Sequence, residues 1–509
     1  MNAALMNSPI LSSAQMRETE EAAFARGVDV VALMDKAGAG VARAVRKFFP
    51  EPGTCIVFAG KGHNGGDALV AAEQLQRAGW KIDIRLPFAE HECSELTQKK
   101  LRALRERESG RGLSAPTVAA LRPLPHSHTI VLDGLLGLGA THLLREPIRT
   151  AAREINHLRA EENAYVFAVD LPTGLNADSG EVDPEDCVRA DFTVTVGFAK
   201  HGLVVDDAID VVGRIEVVPL PDLIAEITAP KAIVATPEVL CSLLPRRKFS
   251  AYKNQFGRIG VVAGSKGFIG AALMTTRGAL RAGAGLVEVF VPENIYPIVA
   301  SAAPVEAMVK PVRTYRDLLK EKIDVWALGP GLGKSQAAEI LDLIRLAEQP
   351  MVVDADGLNI LAGKIDISNQ CKGPRLLTPH PGEMARLFEV GKMSRAGVAR
   401  NFCDKYPVTL LLKGSRTVVC EREQPLSYNT TGNPGMASGG MGDVLTGVCA
   451  GLIGQKLSIY DAARLGAWGC GRAAEMSIFS GTTSEESLLA TDVLARLGPA
   501  FNELRTPEL

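Results

Sequence analysis

"GNPGMASGGMGDVLTG", residues 432–447, sets a single carboxylate, Asp443, in a stretch with few side chains. Six of its sixteen residues are glycine. Glycine loses the most backbone entropy on ordering and buries almost nothing in return, so the bare backbone has another use. The apolar run "VLTGVCAGLIG" that follows reads as a helix. A glycine run at a helix start is an anion cradle, because phosphate oxygens can approach its unpaired N–H groups. Asp443 stands where a substrate hydroxyl would meet that phosphate, and a carboxylate there can take the hydroxyl proton. A plain N-cap would account for Asp443 alone, but not for the glycines on both sides of it.

The rest of the chain frames this site as one of two. Its 509 residues exceed one ordinary core. With 46% hydrophobic and 22% charged residues it is expected to be soluble and globular. A formal net charge of -2 gives no electrostatic case for nucleic acid or anionic membrane as a partner. No apolar run reaches membrane-spanning length. The nine cysteines contain no CxxC pair, so zinc and disulfide frameworks are not expected. The N-terminus has neither a basic n-region nor an arginine before Arg17, and a reducing cytoplasm is the expected location.

Apolar runs alternate with helical stretches twice over, around a proline-rich and then basic break at residues 218–250. This predicts two α/β domains with parallel sheets, residues 1–225 and 226–509. Residues 18–49 read as one amphipathic helical stretch, and residues 97–116 as a charged, solvated helix and loop.

In such sheets ligands bind beyond the carboxyl ends of the strands. "IVFAGKGHNGGDALVAA" follows a strand and opens a helix, with Gly60, Gly62, Gly65 and Gly66 exposing backbone amides. It fits neither GxGxxG nor GK[ST]. Asp67, beside it, is either a ligand contact or a helix cap. "VLDGLLGLGA" ends its strand on Asp133, and "AVDLPTGLNADSG" ends its strand on Asp170. A desolvated carboxylate needs a cation, a donor or a proton, and an oxygen-ligand cation site is a natural use.

"GHNGGDALVAA", "LDGLLGLG" and "VDLPTGLNADSG", with "LMDKAG" upstream, resemble the NAD(P)H-hydrate epimerase domain across residues 12–225. His63 stands where that family has an asparagine, and Thr173 where it has a serine. The resemblance implies a Rossmann-like three-layer αβα sandwich. It implies a K⁺ site from Asn64, Asp133 and Thr173. Contacts to the hydrated nicotinamide would come from His63, Asn64, Gly65, Gly66 and Asp67, and from Gly137, Leu138, Gly139, Ala140, Thr141, His142 and Leu143. Asp170 becomes the acid/base group, assisted by Lys200. A carboxylate can serve so if burial raises its pKa toward neutrality.

The second half resembles the ADP/ATP-dependent NAD(P)H-hydrate dehydratases, a ribokinase-like αβα fold, over residues 240–500. "GRIGVVAGSKGFIGAALMTTRGALRAGAGLV", "ALGPGLG", "VVDADGLNIL", "LLTPHPGEMARL", "LLKGSRTVV" and the opening stretch stand in that family's order. Met441 replaces its usual threonine and Asn254 a glycine. The resemblance places Ala271, Gly331, Gly333 and His380 around the hydrated nucleotide. It places Lys413, Gly414, Ser415, Arg416, Thr417 and Gly442 around the phosphoryl donor, ADP or ATP, and makes Asp443 the base. Asp354, Asp356, Asn359 and Glu383 are candidates to organise Mg²⁺ through water. His380, between two prolines, has a competing reading as a turn residue.

Together the halves imply repair of hydrated NADH and NADPH. The first would epimerise the R and S hydrates, and the second would phosphorylate the S hydrate and eliminate phosphate. A homo-oligomer is expected, with small molecules as the other partners. The rival is a vitamin-precursor kinase carrying a non-catalytic ligand-binding module.

Overall fold

The computed structural model describes residues 8–110, 128–139, 143–244 and 246–505. The chain divides into two compact units, Met1–Pro230 and Lys231–Leu509, five residues beyond the boundary expected from composition.

In the first unit every strand is short, apolar and closed by a turn or loop. They are β1 (Thr54–Ala59), β2 (Lys81–Arg85), β3 (Thr129–Gly134), β4 (Tyr165–Val169), β5 (Phe192–Val196) and β6 (Arg214–Val218). All pair in parallel, in the order β2-β1-β3-β4-β5-β6. The chain leaves β1 toward β2 and then returns to the other side of β1, so the switch point lies between β1 and β3. One face of the sheet, with Ile56, Phe58, Val131, Val166 and Ala168, packs under the helix Ile148–Glu162. The stretch 18–49 is two helices, Ser13–Ala25 and Val30–Phe48. Gly27 at φ +88° turns the chain between them, and the Asp29 carboxylate caps the second by accepting from Val31 N. The charged stretch is also more than a solvated face: the helix Glu95–Gly110 buries Leu101 and Leu104 completely.

The second unit carries β7 (Ala232–Ala235), β8 (Arg258–Val262), β9 (Leu286–Pro292), β10 (Met308–Val312), β11 (Val325–Leu328), β12 (Met351–Val353), β13 (Arg375–Leu377), β14 (Thr409–Leu412), β15 (Val418–Cys420) and β16 (Leu426–Asn429). Their order is β10-β9-β8-β11-β12-β13-β14-β15-β16-β7. The sheet is parallel from β10 to β14, but β14/β15 and β15/β16 are antiparallel. Residues 413–417 are therefore a hairpin loop at the end of β14, which the reading of continued strand-helix alternation did not foresee. The switch point lies between β8 and β11.

The glycines of the opening stretch have a packing role as well. A Cβ on Gly447 would run into the Thr275 carbonyl, and one on Gly451 would lie 2.8 Å from Ala279 O. The helix Met441–Gly454 thus touches the helix Ile269–Arg281 backbone to backbone, over a sheet face lined by Val261, Val289, Ala327, Val352 and Leu376.

Arg375 ties up the helix Ala337–Leu346 beside this sheet. Its buried guanidinium donates to the carbonyls of Ile344, Ala347, Gln349 and Pro374 at 2.5–3.0 Å. Removing the donors strands buried carbonyls that water cannot reach. Arg375→Met is expected to destabilise the second unit by about 3 kcal/mol, the order of a lost buried polar network. Denaturant unfolding checks it; a change below about 0.5 kcal/mol, as for a surface site, would contradict it.

Candidate functional site

Each switch point carries a cluster of the residues that the sequence singles out. In the first unit a Cβ on Gly65 would collide with the Gly60 carbonyl, so the loop after β1 folds tightly on itself at the start of the helix His63–Arg77. Gly62, its N-cap, offers no side-chain acceptor, so the first amides of the helix are left for another partner.

At the end of β3, Asp133 is completely buried. Its carboxylate accepts from Thr173 N at 2.8 Å, Thr173 Oγ1 at 2.7 Å and Leu135 N at 3.2 Å. Asn64 Nδ2 donates to the Leu136 carbonyl at 2.8 Å, and Leu136 N donates to Thr173 Oγ1 at 3.2 Å. Asn64, Asp133 and Thr173 are therefore brought together around Leu136. Every one of these partners is neutral, and burial pushes the Asp133 carboxyl up to about 6 despite the hydrogen bonds from Thr173 that pull it down.

Asp170, at the end of β4, is held differently. Its φ is +66°, a left-handed backbone that a non-glycine residue adopts only when its surroundings hold it there. Oδ1 accepts from Val196 N at 3.1 Å, from Thr195 Oγ1 at 3.2 Å and from the Lys200 ammonium. Lys200 is wholly buried and also donates to Thr195 Oγ1 and the Val196 carbonyl, each at 3.0 Å. Asp67, partly buried at the start of the helix His63–Arg77, has its carboxyl pushed well up by burial and then by the charges of Asp170 and Glu20, against the pull of Lys200. It does not cap that helix; Gly62 does. Of the 137–143 loop, Ala140, Thr141 and His142 lie outside the described residues; Leu138 receives Arg17 Nη2 on its carbonyl at 3.2 Å, and Leu143 is exposed.

In the second unit Gly440, at φ +89°, opens the helix Met441–Gly454 with no side-chain cap, which again leaves amides unpaired. The half-buried Asp443 is not a cap. Beneath it lies Asp354, at the end of β12 and 1% exposed. Its Oδ1 accepts from Lys413 Nζ at 2.8 Å and its Oδ2 from Thr446 Oγ1 at 2.9 Å. A Cβ on Gly442 would stand 3.3 Å from both the Asp354 carboxylate and the Lys413 ammonium. Lys413 comes from the end of β14 and Thr446 from the helix of Asp443, so one carboxylate joins three elements. Burial pushes Asp443 up to about 6, Asp354 pushes the same way, and Lys413 pulls it down. Ala355, next to Asp354, is held at φ +48°.

Ala271 and Gly331 meet at the β8/β11 switch point: a Cβ on Gly331 would lie 3.0 Å from that of Ala271. Gly333, at φ +73°, donates its N–H to Asp356 Oδ2 at 2.8 Å. His380 caps the helix Pro381–Leu387, with Nδ1 accepting from Gly382 N at 3.0 Å, while its ring stays 53% exposed. The competing reading of His380 as a turn residue thus describes its backbone, and its outer edge is available. Gly414 and Ser415 are exposed at the hairpin tip, Arg416 is buried, and Thr417 Oγ1 donates to the Gly414 carbonyl at 3.1 Å. Among the described residues no group of three or more His, Cys, Asp or Glu stands together as a metal cluster. No helix among them is long and apolar enough to cross a membrane.

Residues 259–495 match the family model described as NAD(P)H-hydrate dehydratase, and residues 30–202 match the YjeF-related protein N-terminus. The bifunctional NAD(P)H-hydrate repair enzyme Nnr of Coxiella burnetii is 34% identical over 96% of this chain and 98% of its own length. The chain belongs to the family of bifunctional NAD(P)H-hydrate repair enzymes. The Escherichia coli member is also 34% identical, over 96% of this chain and 92% of its own. A solved structure, the ADP/ATP-dependent NAD(P)H-hydrate dehydratase from Bacillus subtilis co-crystallized with ATP/Mg²⁺, is 28% identical over 53% of this chain and 97% of that one, with a TM-score of 0.46.

One feature of this repair-enzyme chain escapes sequence reading: the Lys413–Asp354–Thr446 network, which joins residues far apart in sequence.

The geometry makes the Asp443 titration testable by itself. Asp443 is expected to titrate near 6 in ¹³C-carboxyl NMR of the free chain. Lys413→Met should move the midpoint upward, since it removes a cation, and Asp354→Asn should move it downward. A midpoint in the ordinary carboxylate range in the wild type, or shifts of the opposite sign, would contradict this electrostatic picture.

Proposed function

We propose that the two clusters are the two active sites of a bifunctional NAD(P)H-hydrate epimerase and dehydratase, with Asp170 and Asp443 as their acid/base groups. The observation that carries the assignment is that Asp443 stands in the first turn of a helix whose amides are uncapped, and that Asp170 ends β4 with one oxygen held by the buried Lys200.

In the second unit the amides at Gly440–Gly442 receive the phosphoryl group of ADP or ATP, and the 413–417 hairpin receives the rest of the donor. Ala271, Gly331, Gly333 and His380 face the hydrated nicotinamide nucleotide. Asp443 takes the proton of the substrate hydroxyl as its oxygen bonds to phosphorus. Loss of phosphate from the carbon, with the neighbouring C–H proton, then restores the ring double bond. Mg²⁺ would neutralise phosphate charge when bound. Asp354, Asp356, Asn359 and Glu383 would hold its waters.

In the first unit Lys200 orients Asp170 by holding its Oδ1, and Oδ2 faces the substrate. The carboxylate exchanges a proton with the hydroxyl as the hydrate passes through an iminium-type species and recloses on either face. The Asn64, Asp133 and Thr173 oxygens suit a monovalent cation, since a single buried carboxylate among neutral donors would carry one compensating charge. K⁺ bound there would fix the loop that follows β3.

Asp443→Asn should keep nucleotide affinity and epimerisation but lose about 10²–10⁴ in dehydration. Asp170→Asn should lose epimerisation and leave dehydration of the S hydrate near wild type. Separate assays on purified epimers measure both; wild-type dehydration by Asp443→Asn, or equal loss of both activities in either variant, would overturn the assignment.

The K⁺ site makes a pH-signed prediction. Asp133 is raised in the fold, so its contribution to stability is present below the unfolded value and lost as pH rises through about 6. A cation restores it only when the carboxylate is ionised. At pH 7.5, K⁺ a hundredfold above its Kd should stabilise the first unit by about 3 kcal/mol, seen as a higher melting temperature, and the rise should be smaller at pH 5. Asp133→Asn should abolish the difference. An equal K⁺ effect at both pH values would count against the site.

A further inference from the structure

Two residues at the start of the helix Ile269–Arg281 serve neither the fold nor the sites described above: a glycine, Gly270, and an exposed aromatic, Phe268. This helix and Met441–Gly454 run side by side in the same direction. A Cβ on Gly440 would come 3.9 Å from Met274 Cγ, and one on Gly451 would come 3.0 Å from Ala282 Cβ. Ile269–Arg281 begins earlier relative to its neighbour, so its first turn rises above the Gly440–Gly442 amides as a wall. Gly270 is four residues before Met274. It therefore shares Met274's face and lies about 6 Å further up the axis.

Nothing in the protein requires a glycine there. Gly270 is exposed, its φ is not positive, and a Cβ on it would meet no atom within 4 Å. Gly278 on the same helix is different, since a Cβ there would lie 2.5 Å from the Val444 carbonyl. Glycine in a helix is less stable than alanine, so the bare backbone at Gly270 has another use. It leaves open space on the face that looks over the cradle.

Phe268 stands at the top of this space. Its backbone is clasped to the loop after β11. Gly264 N donates to the Pro330 carbonyl at 2.8 Å, Ser265 Oγ to the Gly331 carbonyl at 2.7 Å, and Phe268 N to the Ser265 carbonyl at 2.9 Å. A Cβ on Gly331 would lie 2.8 Å from Phe268 Cβ and 3.0 Å from Ala271 Cβ. The side chain of Phe268 thus springs from the wall that Ala271 and Gly331 form, and it is 63% exposed. A lone exposed aromatic is ordinary. This one is rigidly based, and it adjoins both the open face of Gly270 and the two residues expected to meet the hydrated nucleotide.

We propose that Gly270 and Phe268 complete the seat of the hydrated nicotinamide ring. Gly270 lets the ring lie against the helix, and Phe268 covers one of its faces. The inference deepens the dehydratase reading of the second unit and rests on it. Height above the cradle names the ring. The phosphoryl group sits on the amides at Gly440–Gly442, the hydroxyl that accepts it comes next, and the ring that bears this hydroxyl forms the layer above, level with Gly270. Chemistry agrees with position. The half-saturated ring has C–H groups on its faces and a carboxamide at its edge. An aromatic side chain suits such a face, while polar groups hold the edge.

The test uses the full chain. Calorimetry titrates the S hydrate without donor and, separately, ADP with Mg²⁺. Gly270→Ala should weaken the S hydrate about tenfold or more, as one misplaced methyl in a fitted pocket does. It should leave ADP affinity unchanged and raise the melting temperature, because alanine is the better helix former. Phe268→Ala should weaken the S hydrate by a similar factor with ADP again unchanged, and Phe268→Tyr, which keeps the ring, should bind it as the wild type does. A fall in melting temperature in Gly270→Ala would show that the fold needs this glycine and would overturn its role. Wild-type hydrate affinity in both alanine variants would overturn the proposal and leave the dehydratase reading intact. A loss confined to ADP would put the donor in this seat and overturn the proposal as well. A wild-type chain that binds no S hydrate would bring down the dehydratase reading itself, and the proposal with it.

Discussion

A carboxylate at the end of a buried strand cannot be left alone, and both halves of this protein are organised by how they answer that constraint. Three strand-end aspartates, and Asp443 in the first turn of a helix, face it and receive four different answers. Asp354 is met by an ammonium and a hydroxyl, Lys413 and Thr446, and so becomes a structural joint between β12, β14 and the helix Met441–Gly454. Asp170 is met by the ammonium of Lys200, which with two further donors holds one of its oxygens. Asp133 is met only by neutral donors, which leaves it to a proton or a cation. Asp443 has no hydrogen-bonded cation of its own, and its elevated affinity for a proton is what a base working near neutrality requires.

Glycine is the complement of this arrangement. At Gly442 the missing side chain leaves the backbone close to both Asp354 and Lys413; at Gly447 and Gly451 it lets two helices touch. One stretch thus leaves helix-start amides uncapped at its beginning and packs two helices together at its end. For this reason it is dense in glycine well beyond the loop.

Much of this was legible in the sequence. The alternation of apolar runs and helices gives both sheets and most of their parallel pairing; the rule that ligands gather at strand ends picks out Asp133 and Asp170, and the glycine run at a helix start picks out Asp443, before any coordinates are known. What was not legible depends on partners far apart in the chain. Lys413 reads as part of the segment around the nucleotide donor, and its pairing with Asp354, 59 residues away, carries no sequence signal. Asp354 reads as a candidate to organise Mg²⁺ through water, and nothing in the sequence announces its partners Lys413 and Thr446. The antiparallel turn at 413–417 carries no signal to separate it from a strand-to-helix loop.

Membership in the repair-enzyme family and the two-site geometry lead to one claim: this single chain returns both hydrate epimers to the reduced cofactor. The direct measurement is the recovery of reduced-nicotinamide absorbance from a mixture of R and S hydrates with ADP or ATP and Mg²⁺, with released phosphate counted alongside. The account predicts recovery of the whole mixture, with one phosphate released per molecule restored. Recovery that stops at the S fraction, or a stable phosphorylated product without return of absorbance, would contradict it.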